Sequence, residues 1–102
     1  MDDFEEMLNA LERMADGGEK QFSKGGGLSE SKILGGLRAN PAAIAEVYSM
    51  LSKHSKENLE RVKWLAEWQE KIPDEPRLRE LCVRFAALGY HVSALMDKIE
   101  NL

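Results

Sequence analysis

The clearest pattern in the sequence is a set of apolar positions in its last quarter. From Leu78 onward, apolar residues recur at alternating intervals of three and four, which is the spacing of one face of an α-helix. The positions are Leu78, Leu81, Phe85, Leu88, Val92, Leu95, Ile99 and Leu102. The pattern predicts a last helix over residues 75–102 with a wholly apolar seam.

A second seam with the same spacing precedes it. Asn40-Pro41 predicts a helix start, because Asn caps helices and Pro tolerates the first helical position. No Gly or Pro follows until Pro73. The seam positions are Ile44, Tyr48, Leu51, Ser55, Asn58, Val62, Leu65, Gln69 and Ile72. They predict one helix over residues 41–72, with a break at 52–55, where Ser55 starts a second helix, as the alternative.

The two seams match each other around the turn at 73–76, where Asp74 is expected to cap the last helix. In an antiparallel pair of helices, facing residues have numbers of constant sum. Here the sum is always 146 or 147: Leu65 with Leu81, Val62 with Phe85, Asn58 with Leu88, Ser55 with Val92, Leu51 with Leu95, Tyr48 with Ile99 and Ile44 with Leu102. We therefore predict an antiparallel helical hairpin about 40 Å long, with Asn58 fixing its register or oligomeric state.

The N-terminal part predicts two shorter elements. Residues 1–16 carry one apolar helical face, formed by Phe4, Met7, Leu8, Leu11 and Met14, and Gly17-Gly18 is expected to end that helix. Residues 17–30 are Gly-rich and are interpreted as a flexible linker. Residues 31–102 are expected to form the helical bundle. It opens with a short helix through Ile33, Leu34 and Leu37, which Ser29 or Ser31 caps.

The predicted fold is therefore all-α: a long coiled-coil-like hairpin with one or two short N-terminal helices. A hairpin alone leaves two stripes beside its seams uncovered. One holds Val47, Met50, Trp64 and Trp68, and the other holds Cys82, Ala86, Gly89, Ser93 and Met96. They are covered either by the two N-terminal helices, giving a three- or four-helix bundle, or by a second copy of the chain, giving a dimeric core.

Composition and charge narrow the class of protein that the chain can be. The chain has 102 residues, is 43% apolar and contains no run long enough to span a bilayer. Its acidic start, Met-Asp-Asp-Phe-Glu-Glu, is unlike a signal peptide, and the single Cys82 suits a reducing compartment, so we expect a cytoplasmic protein. The net charge is −4, with −5 in residues 1–16 and +1 in the rest. The acids of this segment either stabilise a helix N-terminus or form a docking peptide for a basic partner. The net negative charge gives no basic surface for nucleic-acid binding.

Residues able to do chemistry are few. The hairpin register places His54 near His91, but two ligands are too few for a zinc site, and Cys82 is expected to be a buried small residue. No Ser/His/acid set can be assembled. Several carboxylates stand four residues before a base, which is the spacing of ion pairs on a helix surface: Glu57 with Arg61, Glu67 with Lys71, and Glu80 with Arg84. We expect no enzyme, no cofactor and no metal.

Trp64 and Trp68 lie one helical turn apart and are the first candidates for binding a partner, because Trp is enriched in interface hot spots. The alternative is that they pack under the N-terminal helix. The full set of candidate partner-binding residues is Trp64, Trp68, Val47, Met50, Phe4, Met7, Leu11, Leu34 and Leu37.

The segment 31–47, Ser-Lys-Ile-Leu-Gly-Gly-Leu-Arg-Ala-Asn-Pro-Ala-Ala-Ile-Ala-Glu-Val, resembles the opening of the N-terminal domain of bacterial replicative helicases and the helicase-binding domain of primase. Both have a Leu-Gly-x-Leu-type helix, an Asn/Asp-Pro-like break and an amphipathic helix. The resemblance covers 17 of the 102 residues and ends beyond Leu51, where the heptads continue. It implies contact with a helicase or primase and assigns no functional residue.

Three functions are compatible with this sequence. The first is a small non-enzymatic interaction protein, an adaptor, inhibitor or assembly factor of bacterial or phage type. It would act as a homodimer through its apolar helix faces and acidic helix. The second is a replication module that contacts a helicase or primase through Leu34 and Leu37. The third is an acidic helical scaffolding protein.

Overall fold

A computed structural model of the chain describes residues 2–22, 26–27 and 29–102, and this part is all-α, as predicted. Helix α1 spans Asp3–Phe22 and helix α2 spans Glu30–Ala39. A single 3₁₀ turn at Pro41–Ala43 leads into helix α3, Ile44–Lys71, and helix α4 spans Pro76–Glu100.

The long hairpin is confirmed, and its register is close to the predicted one. Helix α3 runs through residues 52–55 without a break. The Ser55 and Ser93 hydroxyls lie 3.3 Å apart, and a Cβ added at Gly89 would lie 3.7 Å from the Asn58 Cβ. Each of these contacts is one residue further along α4 than the predicted pairing. The same offset holds for Tyr48, which is paired with Ile99 in the predicted register and whose hydroxyl donates to Glu100.

The turn between α3 and α4 is capped differently from the prediction. Glu75, not Asp74, is the N-cap of α4, and its Oε1 accepts a hydrogen bond from the Arg77 backbone N at 3.1 Å. Pro76 occupies the first helical position, as expected from its missing N–H. At the other end, Asn40 makes no side-chain capping bond, and the chain passes through the 3₁₀ turn before α3 begins.

The core consists of two buried clusters along the hairpin. The cluster nearer the turn contains Leu8, Ala15, Leu65, Leu78, Leu81, Phe85 and Leu88. The cluster at the open end contains Leu34, Leu37, Leu51, Val92, Leu95 and Ile99. Phe22 packs against both clusters. The predicted α4 seam is therefore buried throughout except at Leu102, which is 47% exposed because it follows the end of the helix.

Helix α1 is longer than the sequence predicts. Gly17 and Gly18 do not end it at residue 16, and it continues to Phe22. Each Gly in a helix interior costs about 1 kcal/mol relative to Ala, so packing must offset that cost. At Gly18 an added Cβ would lie 2.9 Å from the Leu88 Cδ1, which shows how closely α1 approaches α4 there. The glycine therefore allows a close helix contact instead of stopping the helix.

The predicted linker over 17–30 is correspondingly shorter, because its first six residues belong to α1. Residues 23–25 and 28, at its centre, lie outside the described part of the chain. Ser29 precedes α2 as its N-cap residue, although its hydroxyl makes no capping bond; its backbone oxygen accepts from the Ile33 N at 3.1 Å.

Both N-terminal helices pack on the hairpin, as one predicted arrangement required. Helix α1 runs parallel to α4, since Glu12 meets Arg77 and Glu19 meets Arg84, seven residues further along both helices. Helix α2 contributes Leu34 and Leu37 to the open-end cluster. Among the described residues, none of the helices combines the length and the apolar character that crossing a membrane requires.

Candidate protein-interaction site

The acidic segment is held by two arginines of α4 at equivalent heptad positions. Arg77 donates from Nε to the Glu12 Oε1 at 2.8 Å and from Nη2 to the Asn9 Oδ1. Arg84 repeats this arrangement seven residues later, donating from Nε to the Glu19 Oε2 at 3.0 Å and from Nη2 to Asp16. Two successive heptads of α1 therefore make the same kind of contact with two successive heptads of α4.

These contacts shift the proton affinities of the groups involved. The hydrogen bond from Arg84 lowers the pKa of Glu19, and the carboxylates of Glu19 and Asp16 raise the pKa of Arg84. Glu12 likewise raises the pKa of Arg77. Three acids of α1 are thus paired with bases of their own chain.

The acid that directly precedes α1 caps the helix. The Asp2 Oδ1 accepts from the Glu5 backbone N at 2.7 Å, which is the chemistry expected at a helix N-terminus. Together with the arginine contacts, this favours the intramolecular interpretation of the acidic segment over a docking peptide.

Trp68 packs against the N-terminal helix, and Trp64 packs against Trp68. The Phe4 and Trp68 rings have centroids 5.5 Å apart, and the Trp64 and Trp68 centroids are 5.8 Å apart. The Lys71 Nζ lies 5.5 Å from the Trp68 ring centroid. Trp68 is therefore half-buried under α1, while Trp64 is 37% exposed at the edge of this cluster.

The other candidate partner-binding residues are largely inside the fold. Leu34 and Leu37 are 8% and 3% exposed and belong to the open-end cluster. Three more, Met7, Leu11 and Val47, are half-buried against the two clusters. Met50, at 40% exposure, and Trp64 are the two candidates that stay exposed. The predicted set thus describes mainly how α1 and α2 pack on the hairpin.

A different face of the hairpin carries the three most exposed large apolar side chains of the described residues. Leu59, Val83 and Tyr90 are 54%, 60% and 74% exposed. Leu59 and Tyr90 line a groove of about 320 Å³ between α3 and α4, together with Ser55, Val62, Phe85, Ala86, Gly89 and Ser93. Val83 lies one helical turn before the lining residue Ala86 on α4. We call this surface the open face. It shares with the predicted small-residue stripe the positions Ala86, Gly89 and Ser93.

Sequence reasoning missed the three large residues of this face. Val83 and Tyr90 are seven residues apart on α4, so a repeat outside the main seam was the available signal. Whether these residues are exposed or buried depends on which side of the hairpin α1 covers. Gln21 and Phe22 of α1 lie near His54 and Leu88, away from the groove-lining residues Leu59 and Tyr90.

The histidine and cysteine side chains that the sequence singled out have local contacts in the described structure. The His54 Nδ1 lies 4.0 Å from the Glu57 Oε2, one turn along α3, and Glu57 also faces Arg61 at 3.9 Å. The Cys82 thiol is half-buried, and its Sγ lies 3.7 Å from the Val62 carbonyl oxygen. Within residues 2–22, 26–27 and 29–102, no three His, Cys, Asp or Glu side chains are grouped to hold a metal ion.

Of the predicted pairs along single helices, Glu57 with Arg61 is observed. Arg84 pairs with α1 instead of with Glu80, because two carboxylates of α1 reach its guanidinium.

Comparisons with known proteins give no relative for this chain. It matches no protein-family model, no curated protein and no solved structure. Its geometry therefore carries the functional proposal that follows.

Proposed function

We propose that this chain is a small, non-enzymatic protein–protein interaction protein and that its open face is the binding surface. The observation that carries the proposal is the exposure of Leu59 and Tyr90 on one apolar groove, with Val83 exposed one helical turn from the groove residue Ala86. Contiguous apolar patches of this kind mark interaction sites in small proteins. The groove runs between two helices, which is how an amphipathic helix of a partner is usually received.

The position of α1 supports the open face as the binding surface, because none of the residues that line its groove belongs to α1. Its acids meet Arg77 and Arg84, and its Phe4 meets Trp68, so α1 already occupies one side of the hairpin. Cys82, free and half-buried, fits the cytoplasmic location that we keep as a prediction.

Contact with a replicative helicase or primase stays a prediction of lower rank. The segment that carries the resemblance forms α2, the 3₁₀ turn and the start of α3. Its Leu34 and Leu37 side chains point into the open-end cluster, where a partner does not reach them. Substituting both with Asp would disturb the core, so it would not test helicase binding alone. A scaffolding role in larger assemblies is likewise a prediction.

The test is capture by tagged protein from a lysate of the native host supplemented with the untagged chain. Ala86→Glu places a charge in the centre of the open face, at a position exposed on α4. We expect this variant to lose whatever protein the wild type retains, whether another protein or the untagged chain. Met14→Ala is the matched control, since Met14 is 44% exposed on α1.

Circular dichroism of both variants checks that the helices remain. Retention of the same proteins by Ala86→Glu as by the wild type would contradict the assignment of the open face. Recovery of helicase or primase with wild type and loss with Ala86→Glu would identify the partner as the resemblance implies.

A further inference from the structure

The outer surface of α4 carries a second set of heptad-spaced positions that stay exposed in the fold, although the Ser93 hydroxyl also meets Ser55 of α3. Its six positions alternate at intervals of four and three and are all exposed: Arg79, Val83, Ala86, Tyr90, Ser93 and Asp97. The main α4 seam, by contrast, is buried against α3 and the N-terminal helices. We call the second set the outer seam, and its three apolar members, Val83, Ala86 and Tyr90, follow one another along it.

When the outer seam is placed against a reversed copy of itself, the facing residues are complementary in charge and size. Its ends are basic Arg79 and acidic Asp97, and its centre sets small Ala86 beside large Tyr90. If a second α4 runs antiparallel about a two-fold axis at Leu88, Arg79 faces Asp97, Val83 faces Ser93, and Ala86 faces Tyr90 of the second copy. A two-fold interface makes each of these contacts twice.

We infer that the partner of the open face is a second copy of this chain, bound through antiparallel packing of α4 on α4. The inference rests on the proposed function, because it names the occupant of the same face. Tyr90 of each copy enters the groove beside Ala86 and Gly89 of the other. Leu59 and Val62 of α3 form the far wall of that groove.

Charge at the ends of the seam favours this occupant. Arg79 and Asp97 are both exposed, and neither forms an ion pair with any other described residue. They lie 18 residues apart, or about 27 Å along the helix, so they do not neutralise each other within one chain. In the antiparallel dimer each Arg79 is placed opposite an Asp97 of the second copy, while a parallel dimer would bring like charges together.

The layout of the outer seam suits an interface between two copies. The residues at its centre are apolar or small, and charges lie towards its ends, as in interfaces with a dry core and a polar rim.

Charge reversal tests the arrangement directly, with sedimentation equilibrium as the readout. Arg79→Asp and Asp97→Arg each create two like-charge contacts, and we expect each to raise the dimer dissociation constant about tenfold, which corresponds to about 1.4 kcal/mol. An equimolar mixture of the two variants has only opposite charges in contact. We expect it to form a heterodimer with near wild-type affinity. We expect the double variant, which carries both substitutions in one chain, to form a homodimer with similar affinity.

Arg13→Asp is the matched control, because Arg13 is exposed on α1 and does not belong to the outer seam of α4. It is expected to leave dimerisation unchanged. A mixture as weak as the separate variants would overturn the antiparallel pairing. A wild-type protein that stays monomeric at several hundred micromolar, while Ala86→Glu still loses another captured protein, would overturn the second copy and leave the proposed function standing. A monomer whose captured proteins are unaffected by Ala86→Glu would overturn both.

Discussion

At the scale of single residues, the two adjacent glycines of α1 have different surroundings. An added Cβ meets nothing within 4 Å at Gly17, but lies 2.9 Å from the Leu88 side chain at Gly18. We therefore expect Gly17→Ala to stabilise the protein by about 0.5 to 1 kcal/mol through helix propensity. Gly18→Ala should gain nothing or lose stability, because Leu88 is buried and must move. Urea unfolding of both variants measures the difference, and an equal gain from each would contradict the close approach of α1 and α4.

Glu19 gives the stability a dependence on acid pH. Its folded-state pKa is lowered by the hydrogen bond from Arg84, so its contribution is complete above the ordinary glutamate value of 4.5 and is lost as the pH falls through the lower folded value. We expect Glu19→Gln to flatten the fall in free energy of unfolding below that pH. Glu67→Gln, at an exposed position on α3, is the control. Identical acid profiles for wild type and Glu19→Gln would show that the Arg84 contact contributes nothing in solution.

At the scale of helices, Leu8 is the larger of the two α1 side chains that are fully buried, the other being Ala15. Leu8 is 1% exposed within the cluster nearer the turn. Leu8→Ala removes this contact and leaves a cavity, for which we expect a loss of about 2 to 5 kcal/mol. Met14→Ala, at a 44% exposed position on the same helix, should cost much less. Chemical unfolding followed by circular dichroism compares the two. Equal losses would mean that α1 is not packed on α4 as described.

The hairpin could be predicted from the sequence because two long seams of fixed period leave one consistent antiparallel register. The extent of α1 could not, because Gly17-Gly18 is a stop signal by local chemistry alone. Packing of α1 against Leu88 and pairing of Glu19 with Arg84 outweigh that signal, and both contacts are remote in sequence. The cap of α4 shows the same limit on a smaller scale, since two neighbouring acids compete for it.

At the scale of the whole molecule, the binding surface was harder to predict than the fold. Trp64 and Trp68 stand out by residue type, but Phe4 covers Trp68 once α1 is in place. Leu59, Val83 and Tyr90 stand out only by exposure, which depends on the side of the hairpin that α1 and α2 leave open. Sequence periodicity shows that a face is apolar, and the path of the rest of the chain decides whether it is covered.

The central claim is that two copies meet antiparallel through the outer seam of α4. The most direct measurement is the distance between spin labels at Asn101→Cys in a Cys82→Ala background, by pulsed dipolar electron paramagnetic resonance. Asn101 is exposed just after α4 and lies 13 residues from Leu88, the centre of the proposed two-fold. The antiparallel dimer places the two labels about 40 Å apart at 1.5 Å per residue. A separation near 10 to 20 Å, expected of parallel helices about 10 Å apart, or the absence of any coupling between labels at high concentration, would contradict the claim.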